Sequence, residues 1–559
     1  MLELFRIFVG VLIIPIVATG TFLHNWLTGR KAILEVEISH GDDLLQRQVV
    51  NQRLRRAAVN PRIAAVILRL DGAPGSWAAC QDLRDVVLRL KKAGKAVYAF
   101  LDAPGNAQVW IASACDQVFI VPTGEVSLVG IGGELMFLGQ ALSRLGIEAD
   151  LEAAGAYKSF GETYKRSFAS PENQEAVRAL VFDLHRMLLE GIGDGRGIEE
   201  EVLAELIERA PLGARECEEV GLVDQLAYED ELEDWVVEKH GKGSRIVRFA
   251  SWAGRDAALQ WVSGFADPAK TIAVVHLEGP IVMDNRGMSA TVRARKVVPI
   301  LRKLRKDDDV RAVVLHVNSP GGSALASDLI WREVDLLTKE KTVVASFEDR
   351  AASGGFYLAA PAHEIIARPG TLTGSIGVFG GKLVMREGLR KLGVVTQEIN
   401  AAPNSSLFSP TRRFTDSQRR RFRDLLERFY DGFVSRVAAG RKRPVEDVEP
   451  HCRGRVWTGR AALELGLVDG EGDLFHAVER ARVLAELPLG TYARSDIATW
   501  PRRTLFSKLL TSVLRGTPMG SSIKLLDRLV KGPLSPLVDV MLAHDEKVLA
   551  ILPFEIDLK

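Results

Sequence analysis

Val66-Ile67-Leu68 and Val313-Val314-Leu315 are two copies of one apolar run, and they decide the fold because other residues repeat at the same distance. Trp110 matches Tyr357, and Gly146 matches Gly393. Each pair lies 247 residues apart (313 − 66 = 357 − 110 = 393 − 146), so the match needs no gap between residues 66 and 146. Self-similarity at a fixed distance is the mark of an internal repeat. The sequence therefore predicts a domain that occurs twice.

Each copy alternates short apolar runs with longer helical segments. Runs rich in Val, Ile and Leu are typical of strands buried on both faces, and they occupy residues 64–70, 96–100, 117–121, 310–317, 342–347 and 364–367. The predicted helices cover residues 81–93, 172–189, 326–339 and 416–439. This alternation predicts α/β domains with parallel strands and right-handed crossovers.

The length of 559 residues is too great for one hydrophobic core, and the chain divides into five parts. The predicted parts are a membrane anchor or signal segment (1–30), a first repeat (31–247), a linker (248–270), a second repeat (271–489) and a C-terminal extension of unknown role (490–559). The extension carries a basic amphipathic pattern after residue 501. This pattern fits a helix on a membrane surface, although we favour a helix packed on the body of the protein.

Composition excludes several classes of function. The net charge is +1, with 73 basic and 72 acidic residues, which provides no field for nucleic acid. The cysteines are far apart and form no C-x-x-C pattern, so we predict neither a metal site nor a disulfide framework; they are Cys80, Cys115, Cys217 and Cys452. No cofactor is expected.

The N-terminus holds an uncharged, mostly apolar run at residues 7–23. At 1.5 Å per residue this run spans roughly 25 Å, a little less than a bilayer core. Ala18-Thr19-Gly20 offers a possible cleavage site for a secretory signal, and a buried helix of a soluble protein is a third interpretation. We favour a retained membrane anchor, whose orientation the flanking charges do not determine.

A glycine turn, Asn318-Ser319-Pro320-Gly321-Gly322-Ser323, follows a predicted strand and precedes a helix. Paired glycines let backbone N–H groups point into a cleft, which suits an oxyanion hole or a site for a thioester or phosphate oxygen. A turn used only for chain reversal fits equally well. The first repeat keeps the turn but lacks the Gly-Gly pair.

Ser353 stands in Ala351-Ala352-Ser353-Gly354-Gly355, before a helix-like run. A serine here is either a helix N-cap or a nucleophile beside free amides. No histidine lies in these motifs, and His316, inside a predicted strand, is interpreted as a core residue. Lys158 is the one lysine in the otherwise uncharged stretch 153–160, and it becomes a base only if burial lowers its pKa. At the repeat distance Ser353 matches Asn106, and Lys158 matches Ser405.

At these residues the chain resembles the signal peptide peptidase A family, in its long two-repeat bacterial form, whose members are membrane-bound Ser/Lys peptidases. The resemblance covers roughly residues 33–485. Its motifs include the glycine turn and the Ser353 stretch, together with Thr371-Leu372-Thr373-Gly374-Ser375-Ile376-Gly377, Gly454-Arg455-Val456-Trp457-Thr458-Gly459 and Tyr157-Lys158-Ser159.

The resemblance implies Ser353 as the nucleophile, Lys158 as the general base and Ser375 as a hydroxyl that orients the lysine. It implies an oxyanion hole around Gly321, Gly322 and Gly354. Single-repeat relatives carry the lysine at the place that Ser405 holds here, so the base is expected from the other repeat. The first repeat has Asn106 and Leu128 in place of the two serines, and no second active site is expected there.

The family fold is a crotonase-like, Clp-protease-like α/β spiral, expected here twice and preceded by a transmembrane helix. The resemblance further implies a homotetramer on the bacterial inner membrane, with its catalytic domains on the periplasmic side and cleaved signal peptides as substrates. Two alternatives stay open at this point: a crotonase-like acyl-CoA enzyme and a non-catalytic membrane-associated scaffold.

Overall fold

The computed structural model describes residues 31–39, 44–241, 243–253, 271–284, 291–488, 497–500 and 548–551. Within these ranges the chain builds two parallel α/β units joined by a third, mixed sheet. The predicted anchor, the linker after residue 253 and most of the C-terminal extension lie outside the described residues.

The first repeat is built on a six-stranded parallel sheet in the order β8-β4-β3-β2-β1-β9. The strands of this repeat are Ala32–Glu37 (β1), Ile63–Arg69 (β2), Ala96–Leu101 (β3), Gln117–Ile120 (β4), Glu125–Val126 (β5), Glu148–Ala154 (β6), Leu212–Gly213 (β7), Gln225–Leu226 (β8) and Arg245–Arg248 (β9). The helices are Leu44–Val59 (α1), Trp77–Lys92 (α2), Asn106–Ala112 (α3), Gly139–Arg144 (α4), Glu162–Lys165 (α5), Pro171–Arg196 (α6), Glu200–Arg209 (α7), Ala214–Glu219 (α8) and Glu229–His240 (α9).

The second repeat has its own sheet, in the order β19-β17-β15-β13-β10-β21, with β16 and β20 beside β15. Its strands are Ile272–Glu278 (β10), Ile281–Val282 (β11), Val292–Arg293 (β12), Ala312–Ser319 (β13), Gly321–Ser323 (β14), Thr342–Ala352 (β15), Glu364–Ala367 (β16), Leu372–Gly374 (β17), Val378–Val384 (β18), Val456–Thr458 (β19), Gly470–Glu471 (β20), Ile497–Trp500 (β21) and Val548–Ile551 (β22). The helices are Ala294–Lys306 (α10), Ala324–Thr338 (α11), Gly354–Ala359 (α12), Arg386–Lys391 (α13), Asp416–Gly440 (α14), Val445–Val448 (α15), Gly459–Glu464 (α16) and Leu474–Leu484 (α17).

The predicted α/β class and the internal repeat are confirmed. Every strand and helix predicted within the two repeats is present, and β16 and α4 have counterparts at the same repeat distance in β4 and α13. Each sheet buries its apolar side chains on both faces, as the continuous Val/Ile/Leu runs predict for parallel strands, and each repeat has a core of its own. His316 and all four cysteines are buried.

One part of the expected fold finds no support in the structure. None of the helices in the described ranges is long and apolar enough to cross a membrane, and the predicted transmembrane segment lies in residues 1–30, outside those ranges. Of the C-terminal extension, the described parts are strands: β21 pairs with β10, and β22 enters the third sheet.

The third sheet, in the order β12-β11-β14-β22-β18-β6, links the two repeats. Strand β6 of the first repeat pairs antiparallel with β18 of the second over seven residue pairs, from Val378↔Ala154 to Val384↔Glu148. Helix α14 supports this contact because Arg419 forms ion pairs with Asp150 and Glu152 of β6. The pairing places the loop after β6 beside the loop before β18.

Candidate active site

Ser353 lies at the turn between β15 and α12, in a backbone conformation that few residues other than glycine adopt. Its φ is 53° and its ψ is −113°, and its N–H donates to the carbonyl oxygen of Gly374 at 2.8 Å. Strained backbone of this kind persists only where the surroundings hold it, and it concentrates at functional sites. Gly355 permits the turn, because a Cβ there would lie 2.9 Å from the carbonyl oxygen of Ser319.

Lys158 follows β6 and reaches across the junction between the repeats to Ser353. Its Nζ lies 2.8 Å from Ser353 Oγ, and it also lies 2.9 Å from Ser375 Oγ and 3.1 Å from the Ser375 carbonyl oxygen. Both serines are fully buried, and Lys158 is 4% exposed. The structure therefore brings together the three residues that the sequence analysis selected, from positions 195 and 217 residues apart.

The surroundings of Lys158 favour a neutral amine. Burial lowers the pKa of Lys158 well below its ordinary value, and its three contacts are to neutral oxygens. A neutral amine can accept a proton from a serine hydroxyl, whereas an ammonium cannot. The arrangement is that of a nucleophile with an adjacent base.

The loop at Gly454 fixes the position of Lys158. The N–H of Tyr157 donates to the Arg453 carbonyl oxygen at 2.8 Å, and the N–H of Gly454 donates to the Ile376 carbonyl oxygen at 2.7 Å. A Cβ on Gly454 would lie 2.6 Å from Lys158 N, and its φ is +82°. The loop at Gly454 is thus hydrogen-bonded both to the segment that carries Lys158 and to the segment that follows Ser375.

The three glycines expected at the oxyanion hole lie near this turn, but their backbone N–H groups have different surroundings. The N–H of Gly321 donates to Ser319 Oγ at 3.2 Å. Gly322 lies in β14, where a Cβ would be only 2.0 Å from the Ile281 carbonyl oxygen. Gly354 opens α12, and the first N–H groups of a helix have no partner within the helix. The assignment of the oxyanion hole to these residues stays a prediction.

Strand β22 occupies the cleft between β14 and β18. It runs antiparallel to both, with Ile551 opposite Gly321 and Leu549 opposite Phe379. Leu549 is buried among Phe160 and Phe379. Sequence analysis missed this strand, because four residues near the end of a chain carry no periodicity that points to a distant sheet.

A partly buried polar network around Asp349 was also missed. Asp349, on β15, accepts hydrogen bonds from Arg47 at 2.8 Å, from Asn318 at 3.2 Å and from Ser76. Arg47 and Ser76 belong to the first repeat, so the network joins both repeats to the residue that starts the glycine turn. The charged run Glu348-Asp349-Arg350 inside a mostly apolar strand is the feature of the sequence that could have indicated it.

The first repeat has a similar turn at Asn106, but it lacks both the serine nucleophile and the second serine. Asn106 Nδ2 donates to the Gly130 carbonyl oxygen at 2.8 Å, and Ser353 Oγ donates to the carbonyl oxygen of Gly377, the counterpart of Gly130, at 3.3 Å. Leu128, the counterpart of Ser375, is fully buried. Ser405 is exposed and accepts from the N–H of Ala402.

Within the described ranges, one group of three carboxylates lies close enough together to bind a metal ion: Glu35, Glu229 and Glu233. Arg69 forms ion pairs with the first two of these side chains. The cluster is therefore explained by ion pairing, and the candidate active site contains no acidic ligand.

Comparison with known proteins agrees with the geometry. The model of "Peptidase family S49" matches residues 89–242 and 335–488, once in each repeat. The chain is 30% identical over 496 residues to "Serine protease SPPA, chloroplastic" of Arabidopsis thaliana, which covers 87% of this chain and 72% of that protein. It is 28% identical over 482 residues to "Protease 4" of Haemophilus influenzae, with 83% and 77% covered. It is 30% identical over 444 residues to "Protease 4" of Salmonella typhi, with 78% and 71% covered.

Proposed function

This chain belongs to peptidase family S49 and is a serine peptidase, and we propose that it cleaves peptide bonds with Ser353 as nucleophile and Lys158 as general base. The observation that carries this proposal is the 2.8 Å separation of Lys158 Nζ and Ser353 Oγ in a buried site. The two alternatives, a scaffold and an acyl-CoA enzyme, have no comparable support.

The mechanism follows from the protonation state of the lysine. Neutral Lys158 takes the proton of Ser353 as Oγ attacks the scissile carbonyl, and the resulting ammonium protonates the leaving amine. Water then enters and attacks the acyl-enzyme as it loses a proton to Lys158, and the lysine returns that proton to Ser353 Oγ as the ester bond breaks and the carboxylic acid product leaves. Ser375 holds the amine through its hydroxyl and its carbonyl oxygen, at 2.9 and 3.1 Å.

The developing oxyanion needs N–H donors that already point to it. The amide of Gly354 is the candidate best supported here, because the N–H of Gly321 is engaged with Ser319 Oγ and Gly322 lies in β14, between β11 and β22. Asp349 positions this region by holding Asn318.

The substrate is proposed to bind as an extended strand in the place that β22 occupies. A peptide there would be hydrogen-bonded by β14 on one side and β18 on the other, which is the usual mode of β-strand addition. The apolar surroundings of Leu549 suit hydrophobic side chains. Cleaved signal peptides and similar hydrophobic peptides are the proposed substrate class.

The shape of the repeats, the membrane attachment and the assembly of copies are also proposals. Each repeat is proposed to follow the crotonase-like, Clp-protease-like spiral, with the domain limits given above. Residues 1–30 are proposed to anchor the protein in the bacterial inner membrane, with both repeats on the periplasmic side, and several copies are proposed to assemble, as a tetramer.

The test compares four full-length proteins purified in detergent: wild type, Ser353→Ala, Lys158→Ala and Ser405→Ala. Cleavage of a synthetic signal peptide is expected to fall about 10³-fold or more in the first two variants and to stay unchanged in the third. A fluorophosphonate probe is expected to label wild type and not Ser353→Ala. Full activity of Lys158→Ala would contradict the dyad, and full activity of Ser353→Ala would contradict the nucleophile.

A further inference from the structure

Arg455, directly after Gly454, contacts both halves of the candidate active site. Its carbonyl oxygen accepts from the N–H of Ser375 at 2.7 Å. Its guanidinium donates to Glu175 at 2.5 Å, and Glu175 lies on α6 of the first repeat, which also carries Lys158. Arg455 therefore joins the segment of Ser375 to the repeat that supplies the lysine.

Two aromatic rings complete the surroundings of the Arg455 guanidinium. Its Cζ atom lies 4.3 Å from the ring centre of Trp457 and 5.1 Å from that of Tyr157, the residue before Lys158. The negative face of an aromatic ring attracts a guanidinium. The hydroxyl of Tyr157 also donates to Glu175 at 3.0 Å, so the ring and the carboxylate hold each other as well as the arginine. We call these four side chains the outer clamp: Tyr157 and Glu175 of the first repeat, and Arg455 and Trp457 of the second.

We propose that the outer clamp, with Arg455 at its centre, positions Lys158 for the reaction; this inference rests on the proposed function. The clamp holds the segments of Lys158 and Ser375 at the separation that gives the Nζ contacts of 2.8 Å to Ser353 Oγ and 2.9 Å to Ser375 Oγ. Arg455 is a positioning residue, because its guanidinium binds Glu175 while the proton is transferred between the lysine and the serine. A misplacement of about 1 Å lowers a rate by about 10²-fold, so loss of the clamp is expected to lower kcat.

The first repeat contains the strand pair that corresponds to β17 and β19 of the second. There, β5 pairs antiparallel with β7 at Val126↔Leu212, and in the second repeat β17 pairs antiparallel with β19 at Thr373↔Trp457. The first members of these pairs lie 247 residues apart (373 − 126), and the second members lie 245 residues apart (457 − 212). The strand pairing therefore aligns the two repeats at the clamp, with two residues fewer between the paired strands of the second repeat.

The first repeat lacks counterparts of the two clamp residues that the second repeat supplies. At the distance of 245 residues, Arg455 corresponds to Ala210 and Trp457 corresponds to Leu212. Neither counterpart offers a cation or an aromatic face, and Asn106 stands in place of the serine nucleophile. A residue needed only to build the strand pair would be needed in both repeats. Arg455 and Trp457 occur only in the repeat that carries the serine, as expected for a role in the reaction.

A second ion pair across the same junction provides a matched control. Arg460, on α16, donates to Glu190 of α6 at 2.7 Å, so it joins the same helix to the same repeat as Arg455 does. The side chain of Arg460 is 27% exposed, compared with 17% for Arg455. Within the described ranges, none of its hydrogen bonds involves the dyad or the outer clamp. Replacement of Arg460 therefore measures what an ion pair at this junction contributes to stability alone.

The test measures kcat and KM for a synthetic signal peptide with four full-length proteins in detergent: wild type, Arg455→Met, Arg455→Lys and Arg460→Met. Arg455→Met is expected to lower kcat about 10²-fold and to leave KM within about twofold of wild type. Arg455→Lys should recover part of kcat, because a lysine still offers a cation to Glu175 and to the rings. Arg460→Met should keep the kcat of wild type. An unchanged kcat in Arg455→Met, an effect on KM alone, or an equal loss of kcat in Arg460→Met would overturn the proposal.

Glu175→Gln tests the clamp with a side chain of the same shape. The variant removes the negative charge that Arg455 binds but keeps an amide oxygen as an acceptor, so kcat should fall less than in Arg455→Met and KM should stay unchanged. The Tm of each variant is measured in parallel, because a loss of kcat at an unchanged Tm does not come from unfolding. A Glu175→Gln protein with the kcat of wild type would contradict the clamp.

Labelling by a fluorophosphonate probe separates this inference from the proposed function. The probe reacts with an activated serine without filling the peptide cleft, and the labelling rate of Arg455→Met is expected to fall about as far as kcat. If Ser353→Ala is labelled as fast as wild type, the proposed function fails. If Ser353→Ala is not labelled but Arg455→Met is labelled at the rate of wild type, the proposed function stands and the clamp is overturned.

Discussion

At the scale of single residues, the burial that suits Lys158 to its proposed role as a base also lowers the stability of the folded state. Burial lowers its pKa, so at any pH between that value and about 10.4 the unfolded chain binds a proton that the folded chain does not. The stability of the folded state therefore decreases as the pH falls through this range. Activity also decreases as the pH falls through the lowered pKa, because the ammonium cannot act as a base.

Lys158→Met tests both consequences at once. We expect peptide cleavage to fall about 10²–10⁴-fold and the Tm at neutral pH to rise by about 2 °C or more, because an apolar side chain replaces the buried amine. The difference in Tm between variant and wild type should shrink as the pH rises towards 10. A variant less stable than wild type at every pH would contradict this account of Lys158.

Gly454→Ala tests the placement of the lysine without changing a reacting group. The added Cβ would meet the backbone of Lys158, so we expect kcat to fall by about 10²-fold, the effect of a displacement of roughly 1 Å. Gly94→Ala is the matched control, since Gly94 has φ +75° but nothing within 4 Å of its Cβ position. Equal losses of activity in both variants would assign the effect to backbone strain alone.

At the scale of secondary-structure elements, β22 fills the place that we propose for the substrate. It is hydrogen-bonded on both edges, and one of its side chains, Leu549, lies in the apolar cluster beside β18. A peptide cannot occupy the same ladder positions until β22 leaves.

A chain truncated after residue 547 is expected to cleave a synthetic signal peptide with a lower KM and a similar kcat. Its Tm should fall, because burial of a leucine side chain contributes about 1.5–3 kcal/mol. Leu549→Asp is the milder variant and should shift KM in the same direction. A peptide with the sequence of residues 547–559, added to the truncated protein, should inhibit competitively. An unchanged KM in both variants would show that β22 does not compete for the cleft.

At the scale of the whole molecule, buried ion pairs make the two repeats one unit. Arg368 of the second repeat pairs with Asp82 at 2.5 Å and with Asp85 at 2.9 Å, both on α2 of the first repeat. Asp473 of the second repeat pairs with Arg55 of the first. Since removal of one member of a buried pair leaves an uncompensated charge, the interface tolerates such changes poorly.

Arg368→Met is expected to lower the free energy of unfolding by about 3–5 kcal/mol, measured from the denaturant midpoint. Wild type should unfold in one transition reported equally by tryptophans of both repeats. Arg390→Met is the control, because its pair with Glu387 is exposed and should contribute less than about 1 kcal/mol. Asp82→Asn combined with Arg368→Met should recover part of the loss; a double variant no more stable than Arg368→Met would locate the effect elsewhere.

The sequence by itself determined the repeat and the α/β class, and it predicted Ser353, Lys158 and Ser375 as the site residues. Apolar runs, glycine turns and isolated polar residues are local features. Each is formed by residues that are close together in the sequence, so each can be recognised without knowing the fold. The family resemblance, read at the repeat distance, predicted that the lysine of the first repeat serves the serine of the second.

Only the tertiary structure decided how these residues meet. The β6·β18 pairing, the loop at Gly454, the network at Asp349 and the position of β22 each join segments far apart in the sequence. Such contacts depend on which edges and faces remain unpaired after both sheets have formed. Val395 and Ile399 show the difference: both side chains are apolar, yet the fold leaves them exposed on the surface of the chain.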